Sequence, residues 1–133
     1  MQTRGGSSRV TRQAKSASIL VVDDDDDIRE TVVEILEGEG HTVAQATNGV
    51  DALGYLRRQG HPRLIILDLR MPVMDGWQFH REMQEDSTLA GIPVVVVSAH
   101  RDGEAPVPVA ASRFLRKPFE VRELLALVSR YCQ

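Results

Sequence analysis

The chain has 133 residues, of which 42% are hydrophobic and 26% charged, and its formal net charge is −3. These values predict one globular domain, and every apolar run is far shorter than the roughly 18 residues that a membrane span requires. The single cysteine, Cys132, excludes an internal disulfide framework and is typical of a reducing, cytoplasmic compartment. Residues 1–18 lack the apolar stretch of a secretory signal.

The charge is distributed unevenly along the chain. Residues 1–17 contain four basic residues and no acid, together with Gly and Ser, which is typical of a flexible basic tail. The remainder, 18–133, carries 12 basic and 19 acidic residues, a net charge of about −7. This excess of acids argues against direct binding of nucleic acid by the folded part.

From residue 18 onward, short apolar runs alternate with helical patterns. The apolar runs predict five strands, at 18–22, 41–46, 63–69, 92–99 and 113–117. Helical spacing of apolar residues predicts helices from Ile28 to Gly38 or Gly40, at 48–58, at 77–84 and at 120–132. This alternation predicts an α/β fold in which a five-stranded parallel sheet has helices on both faces.

The segment between the fourth and fifth predicted strands, "HRDGEAPVPVAAS" (100–112), departs from this alternation. It contains Gly103, Pro106 and Pro108, and a proline inside a helix costs about 3 kcal/mol. We therefore expect the fourth helix of the fold, which would lie here, to be short or irregular.

Five consecutive aspartates, Asp23 to Asp27, follow the first predicted strand. Two unit charges about 4 Å apart repel by roughly 4 kcal/mol at an effective dielectric constant of about 20, so such a cluster needs a counter-charge or a structural role. Asp25 or Asp26 can cap the following helix by accepting its free N–H groups, and Asp27 suits the positive end of the helix dipole.

Polar residues stand just past the carboxyl ends of the predicted strands: Asp23 and Asp24, Asp68, Ser98 and Lys117. In a parallel sheet these ends share one edge, where ligands bind. Carboxylates gathered there can hold Mg²⁺, which favours carboxylates, waters and phosphate oxygens. A hydroxyl and an ammonium group beside them can bind the oxygens of a phosphoryl group.

Four segments together resemble the receiver domain of two-component response regulators. "ILVVDDDDDIRETV" resembles its first strand and acidic pair, "LIILDLRMPVMDG" its phosphoacceptor strand and loop, "VVVVSA" its hydroxyl-bearing strand, and "FLRKPF" its lysine–proline element. The resemblance covers 18–133 and implies a flavodoxin-like fold with strand order 2-1-3-4-5. It also implies a single-domain type similar to the chemotaxis regulators.

The resemblance further implies roles for individual residues. Asp68 is the expected phosphoacceptor for a histidine kinase or histidine phosphotransfer protein. Mg²⁺ or Mn²⁺ is expected to bind Asp24 directly, Asp23 through water, Asp68, and the backbone carbonyl of Arg70. Lys117 is the expected phosphate-binding lysine, and its bond to Pro118 is expected to be cis.

Further residues are expected to control the signal. By resemblance, the hydroxyl of Ser98 turns toward the phosphoryl group while Phe114, at the aromatic switch position, repacks inward. The shift would reach an unknown output partner through the fourth helix, fifth strand and last helix. Arg70 and His100, each two residues beyond a site residue, are expected to lengthen the lifetime of the phosphoryl group by obstructing water. His41, His61 and His80 show no metal-ligand spacing and are expected to be solvated.

Two other functions are compatible with parts of the sequence. A phosphohydrolase of the haloacid dehalogenase type would use Asp23 as its nucleophile, but the chain has no room for a cap domain and Asp68 would be unexplained. A receiver-like module that binds partners without phosphorylation remains an alternative because of the altered segment at 100–112. The receiver function, a switch rather than a turnover enzyme, accounts for the most residues.

Overall fold

The computed structural model describes residues 17–99, 106 and 113–132. Three sequence predictions therefore lie outside the described residues: the basic tail apart from Ala17, which is buried, the altered fourth helix apart from Pro106, and the position of His100.

The described residues form nine elements, in which strands and helices alternate up to β4. The strands are β1 (Ile19–Val22), β2 (Val43–Ala46), β3 (Leu64–Leu67), β4 (Val94–Ser98) and β5 (Arg113–Arg116). The helices are α1 (Asp26–Gly38), α2 (Gly49–Gln59), α3 (Gly76–Glu85) and α4 (Val121–Ser129). Every predicted strand and helix outside 100–112 is present, with ends that differ by a few residues, as when α1 starts two residues before Ile28.

All five strands are parallel, in the order β2-β1-β3-β4-β5. This confirms the predicted α/β flavodoxin-like fold. Every residue of the central strands β1, β3 and β4 is buried, and all but Ser98 are apolar, because both faces of the sheet are covered.

The core consists of two layers, one on each face of the sheet. Alternate residues of a strand point to opposite faces, so Leu20 and Val22 pack with α2 and α3, while Ile19 and Val21 pack with α1 and α4. No helix in the described parts of the chain is both long and apolar enough to cross a membrane.

Side-chain caps fix where the helices begin. Asp25 caps α1, since its Oδ1 accepts the N–H of Ile28 at 3.1 Å. Asp26 and Asp27 lie in the first turn, where their charge suits the helix dipole. Three of the five consecutive aspartates are thus explained by the start of a helix, and Asp25 is the one that caps it.

One histidine prediction is wrong. His80 is 4% exposed because it lies on the inward face of α3 together with Phe79 and Met83. His41 is half-buried and His61 is exposed.

Candidate functional site

The carboxyl edge of the sheet brings the predicted site residues together. Asp23 follows β1, Asp68 follows β3, Ser98 ends β4 and Lys117 follows β5. Since β1, β3, β4 and β5 are consecutive neighbours in the sheet, residues up to 94 positions apart in sequence meet at this edge.

The ammonium group of Lys117 lies between two carboxylates. Its Nζ donates to Oδ2 of Asp23 at 2.8 Å and to Oδ2 of Asp68 at 3.4 Å. All three side chains are largely buried, with side-chain exposures of 13% for Lys117, 7% for Asp23 and 11% for Asp68. The shorter contact is with Asp23, so Lys117 joins the acidic pair to the predicted phosphoacceptor.

Backbone amides bind the other oxygen of each carboxylate. The N–H of Asp25 donates to Oδ1 of Asp23 at 3.0 Å, and the N–H of Leu69 donates to Oδ1 of Asp68 at 2.7 Å. Both carboxylates are therefore held in fixed orientations, each with one oxygen directed toward Lys117.

Burial and charge both perturb the ionisation of this group. Burial raises the pKa of Asp23, and the negative charge of Asp68 adds to this, against the lowering effect of the contacts with Lys117 and the Asp25 amide. Burial alone would lower the pKa of Lys117, but its contacts with Asp23 and Asp68 outweigh burial and raise it. Lys117 therefore remains a cation at neutral pH.

The acidic group fits a divalent cation. One oxygen from each of Asp23, Asp24 and Asp68 lies within 4.8 Å of the others, and Lys117 alone leaves two negative charges uncompensated when all three are ionised. Carboxylate oxygens are the protein ligands that Mg²⁺ prefers. Asp24 is exposed whereas Asp23 and Asp68 are buried, so Asp24 is the carboxylate most accessible to an ion arriving from water.

Ser98 supplies an unpaired hydroxyl at the same edge. Ser98 is 1% exposed, and its buried Oγ has no hydrogen-bond partner among the described residues. The backbone N–H of Lys117 donates to the carbonyl oxygen of Ser98 at 3.0 Å, which keeps β4 and the lysine adjacent. A buried unpaired hydroxyl costs about 1–3 kcal/mol, and the oxygen of a bound oxyanion would remove this cost.

An open cleft of about 430 Å³ gives access to the site. Asp24, Asp68 and Lys117 line it, together with Arg70 and Ala99. Arg70 is exposed, so its side chain lies at the mouth, where the sequence predicted it. The predicted coordination by its backbone carbonyl stays a prediction.

Two further sequence predictions concern β5 and the turn after it. Phe114 is half-buried and packs against the core layer that α2 and α3 cover, and its role as a switch stays a prediction. The Lys117–Pro118 bond is cis, as expected.

The first residue of α3, Gly76, lies very close to the backbone at Asp68. A Cβ atom added at Gly76 would contact the carbonyl oxygen of Asp68 and would lie 2.7 Å from Cα of Leu69. Gly76 is needed here because the backbone of α3 approaches the backbone at Asp68 too closely for any side chain.

Sequence reasoning missed Arg29, which is only 7% exposed and binds next to the acidic pair. Its Nη1 donates to the carbonyl oxygen of Asp23 at 3.0 Å. The sequence did contain a signal for its burial. Arg29 is the only basic residue in α1, and it lies three residues before the buried Val32, on the same face of the helix.

Comparison with known proteins identifies the family. The sequence pattern described as "Response regulator receiver domain" matches residues 19–129. The response regulator Rre1 of Synechocystis sp. is 38% identical over 120 residues, which cover 86% of this chain and 51% of that protein. The chain thus spans about half the length of this relative.

Solved structures with the same fold include two that contain Mg²⁺. The response regulator TrrA of Thermotoga maritima, in complex with Mg(2+)-BeF, is 31% identical with a TM-score of 0.75, covering 85% of this chain and 96% of that one. The receiver domain of the sensor histidine kinase PA1611 from Pseudomonas aeruginosa has a magnesium ion coordinated in its active site cleft. It is 25% identical with a TM-score of 0.77, and the match covers 87% of this chain and 97% of that one. The chain belongs to the response regulator receiver domain family.

Proposed function

We propose that this chain acts as a phosphorylatable receiver in a two-component system or phosphorelay, with Asp68 as phosphoacceptor. The single observation that carries the proposal is the contact of Lys117 Nζ with both Asp23 and Asp68, in a cleft that Asp24 also lines. A buried structural aspartate would need only a hydrogen-bond partner, whereas this one lies among carboxylates that require a further cation.

The phosphoryl donor is a phosphohistidine of a histidine kinase or histidine phosphotransfer protein. Oδ2 of Asp68 attacks phosphorus, the new O–P bond forms as the P–N bond breaks, and the imidazole nitrogen keeps the electron pair. Lys117 then binds an oxygen of the transferred group, and the hydroxyl of Ser98 donates to another. The reaction modifies the chain itself, so we propose self-phosphorylation and self-dephosphorylation but no turnover of other substrates.

Asp23, Asp24, Asp68 and the backbone carbonyl of Arg70 would hold a divalent cation, Mg²⁺ or Mn²⁺. When bound, this cation neutralises charge on the phosphoryl oxygens. Asp24, which is exposed, contributes a direct ligand. Asp23, which accepts hydrogen bonds from Lys117 and from the Asp25 amide, acts through a water molecule.

A groove beside the site suits the protein that delivers the phosphoryl group. It measures about 540 Å³, lies between α1 and α4, and is mainly apolar, with Ile28, Ile35 and Phe119 in its lining. It shares Ile28, Ala99 and Lys117 with the acidic cleft. A helix that carries the phosphohistidine can bury its apolar face here and present the imidazole to Asp68.

The readout is a change in the packing at β4 and β5. Ser98 moves toward the phosphoryl group and Phe114 repacks inward, which alters the surface near β5 and α4. Arg70 and His100 limit the access of water and lengthen the lifetime of the acyl phosphate. We place these events in the cytoplasm, which suits the reduced thiol of Cys132.

Intact-mass measurement after incubation with Mg²⁺ and acetyl phosphate tests the function. We expect one phosphoryl adduct, lost in Asp68→Asn and retained in Asp27→Asn, a matched change at an exposed aspartate of α1. Turnover of the donor that disappears in Asp23→Asn would instead indicate a phosphohydrolase. Absence of any adduct, with acetyl phosphate or with a phosphorylated kinase, would leave a phosphorylation-independent interaction module.

The lifetime proposal has its own measurement. Adduct decay after removal of the donor should be faster in Arg70→Ala and in His100→Ala than in the unmodified chain. An unchanged decay rate in both variants would remove this role from the two residues.

A further inference from the structure

Arg29 is a buried cation that the phosphoryl-transfer chemistry does not use. It lies in the first turns of α1, on the same face as Val32 and Val33, and its side chain is 9% exposed. An arginine stays charged at every physiological pH, and a buried charge persists only where it is paired and hydrogen-bonded. Its partners therefore indicate what it stabilises.

The guanidinium group binds three acceptors from three parts of the fold. Nε donates to the side-chain oxygen of Gln45 on β2 at 2.9 Å, and Nη2 donates to Oδ1 of Asp26 at 2.7 Å. Nη1 donates to the backbone carbonyl oxygen of Asp23 at 3.0 Å. The planar fork of arginine holds these three acceptors in a fixed arrangement, which a lysine cannot do.

The third acceptor is part of the acidic pair. The carbonyl group of Asp23 belongs to the peptide that joins Asp23 to Asp24, so its direction determines where Asp24 is placed. On the other side of the same residue, the N–H of Asp23 donates to the carbonyl oxygen of Ala46 at 3.1 Å. Ala46 follows Gln45 directly, so Arg29 and the end of β2 together hold the backbone of Asp23 from both sides.

Lys117 and Arg29 bind Asp23 at different groups. Lys117 binds the carboxylate, where its charge acts on the reacting groups, whereas Arg29 binds the backbone carbonyl and a carboxylate outside the cation site, that of Asp26. Arg29 therefore orients the ligands without occupying the oxygens that a cation would use.

We propose that Arg29 is a positioning residue for the divalent cation site, which fixes the Asp23–Asp24 peptide so that both carboxylates are oriented for binding. This inference rests on the proposed function, since it presupposes that the acidic cleft binds Mg²⁺. Partners of metal ligands typically change metal affinity by about 10–100-fold when they are removed.

The direction in which Mg²⁺ affinity changes when Arg29 is replaced distinguishes a positioning role from a purely electrostatic one. Loss of a positive charge near three carboxylates would by itself strengthen the binding of Mg²⁺, because the repulsion between Arg29 and the ion disappears. Loss of positioning weakens binding. Arg29→Met should therefore bind Mg²⁺ about 10-fold or more weakly, and Arg29→Lys, which keeps the charge but loses the fork, should not restore the affinity.

The experiment is calorimetric titration of the metal-free chain with Mg²⁺, with urea unfolding of each variant to define the folded fraction. Gln45→Met removes one anchor of the fork without altering any charge, and it should weaken binding less than Arg29→Met. Arg57→Met, at an exposed arginine of α2, is the control and should bind like the unmodified chain. If Arg29→Met does not fold, Arg29→Lys and Gln45→Met decide the question.

The two possible failures are distinguishable. If the unmodified chain does not bind Mg²⁺, the proposed function fails. If it binds Mg²⁺ and the folded Arg29 and Gln45 variants bind equally or more tightly, the positioning role of Arg29 is overturned while the site itself stands.

Discussion

The carboxyl edge of the sheet and the inward face of α3 both bury ionisable side chains, but among the described residues only the first region shows hydrogen-bond partners for them. At the edge, Lys117 contacts two carboxylates and backbone amides bind their remaining oxygens. On α3, His80 is 4% exposed, and its Nε2 has no hydrogen-bond partner among the residues that the structure describes.

This difference shows that a buried ionisable side chain indicates a binding site only when other charged groups surround it. A group of opposite charges offsets its own desolvation and leaves a defined excess of negative charge that a cation can neutralise. A solitary imidazole is tolerated only in its neutral form. Four changes test the comparison, from the largest expected effect to the smallest.

Replacement of Lys117 by Met should have the largest effect on stability. The change leaves Asp23 and Asp68 buried side by side without their cation, and loss of one partner of a buried pair costs about 3 kcal/mol or more. Urea unfolding of the metal-free protein measures this loss, and Mg²⁺ should restore part of it by supplying positive charge.

The matched control is Arg122→Met, because Arg122 pairs with Glu120 at the same distance of 2.8 Å but at the surface, with side-chain exposures of 86% and 63%. Such an exposed pair contributes less than about 1 kcal/mol. Equal losses in the two variants would mean that burial adds nothing to the Lys117 contacts.

Replacement of Gly76 by Ala should disturb the site through the backbone. The new methyl group would contact the carbonyl oxygen of Asp68 and lie 2.7 Å from Cα of Leu69, and overpacking of this kind costs about 1–3 kcal/mol. We expect a lower midpoint of urea unfolding and slower formation of the phosphoryl adduct.

Gly38→Ala provides the comparison, since a Cβ at Gly38, the last residue of α1, meets nothing within 4 Å. Alanine favours a helix by up to about 1 kcal/mol over glycine, so this variant should be as stable as the unmodified chain or more so. A similar loss in both variants would contradict the close approach at Gly76.

The sequence predicts the two regions to different degrees. Asp23, Asp68, Ser98 and Lys117 could be placed together because strand ends in a parallel sheet share one edge, a rule that needs no knowledge of side-chain packing. The shorter contact of Lys117 with Asp23 could not be predicted, since it depends on rotamers and on distances of a few tenths of an ångström.

The buried polar residues of the helices were harder to predict. His80 lies at helical spacing from Gly76, Phe79 and Met83, which are all buried, so the spacing did mark the inward face. Because histidine is polar, His80 was expected to be exposed, but the packing of α3 onto the sheet outweighed the preference of its side chain for water. The burial of Arg29 was missed because its polarity also suggested exposure. Its hydrogen-bond acceptor, the backbone carbonyl of Asp23, comes within reach only in the folded chain.

His80 should make stability depend on pH. Burial lowers the pKa of His80 below its ordinary value of 6.5, so as pH falls below about 6.5 the unfolded chain gains a proton that the folded chain does not accept. Folding stability should therefore decrease over this range, by at most about 1.4 kcal/mol per pH unit, and His80→Leu should remove that part of the decrease.

Urea unfolding at pH 7.5, 6.5 and 5.5 measures this effect as the difference between His80→Leu and the unmodified chain. His61→Leu, at an exposed histidine, controls for the loss of a histidine as such. A difference that does not change with pH would mean that His80 is protonated equally in the folded and unfolded chains.

The loop between β3 and α3 connects the two regions and contains the smallest expected effect. Val73 has a φ of 70° and is 81% exposed, a conformation that a β-branched residue adopts only under strain. Asparagine tolerates a positive φ better than a β-branched residue does, so Val73→Asn should stabilise the protein by about 1 kcal/mol, whereas Val50→Asn, at an exposed valine in α2, should not. If Val73→Asn is more stable and Asp68 is phosphorylated at the same rate, the strain is incidental to the site. If the added stability comes with slower phosphorylation, the loop holds Asp68 in place through that strain, and the site extends beyond the carboxyl edge of the sheet.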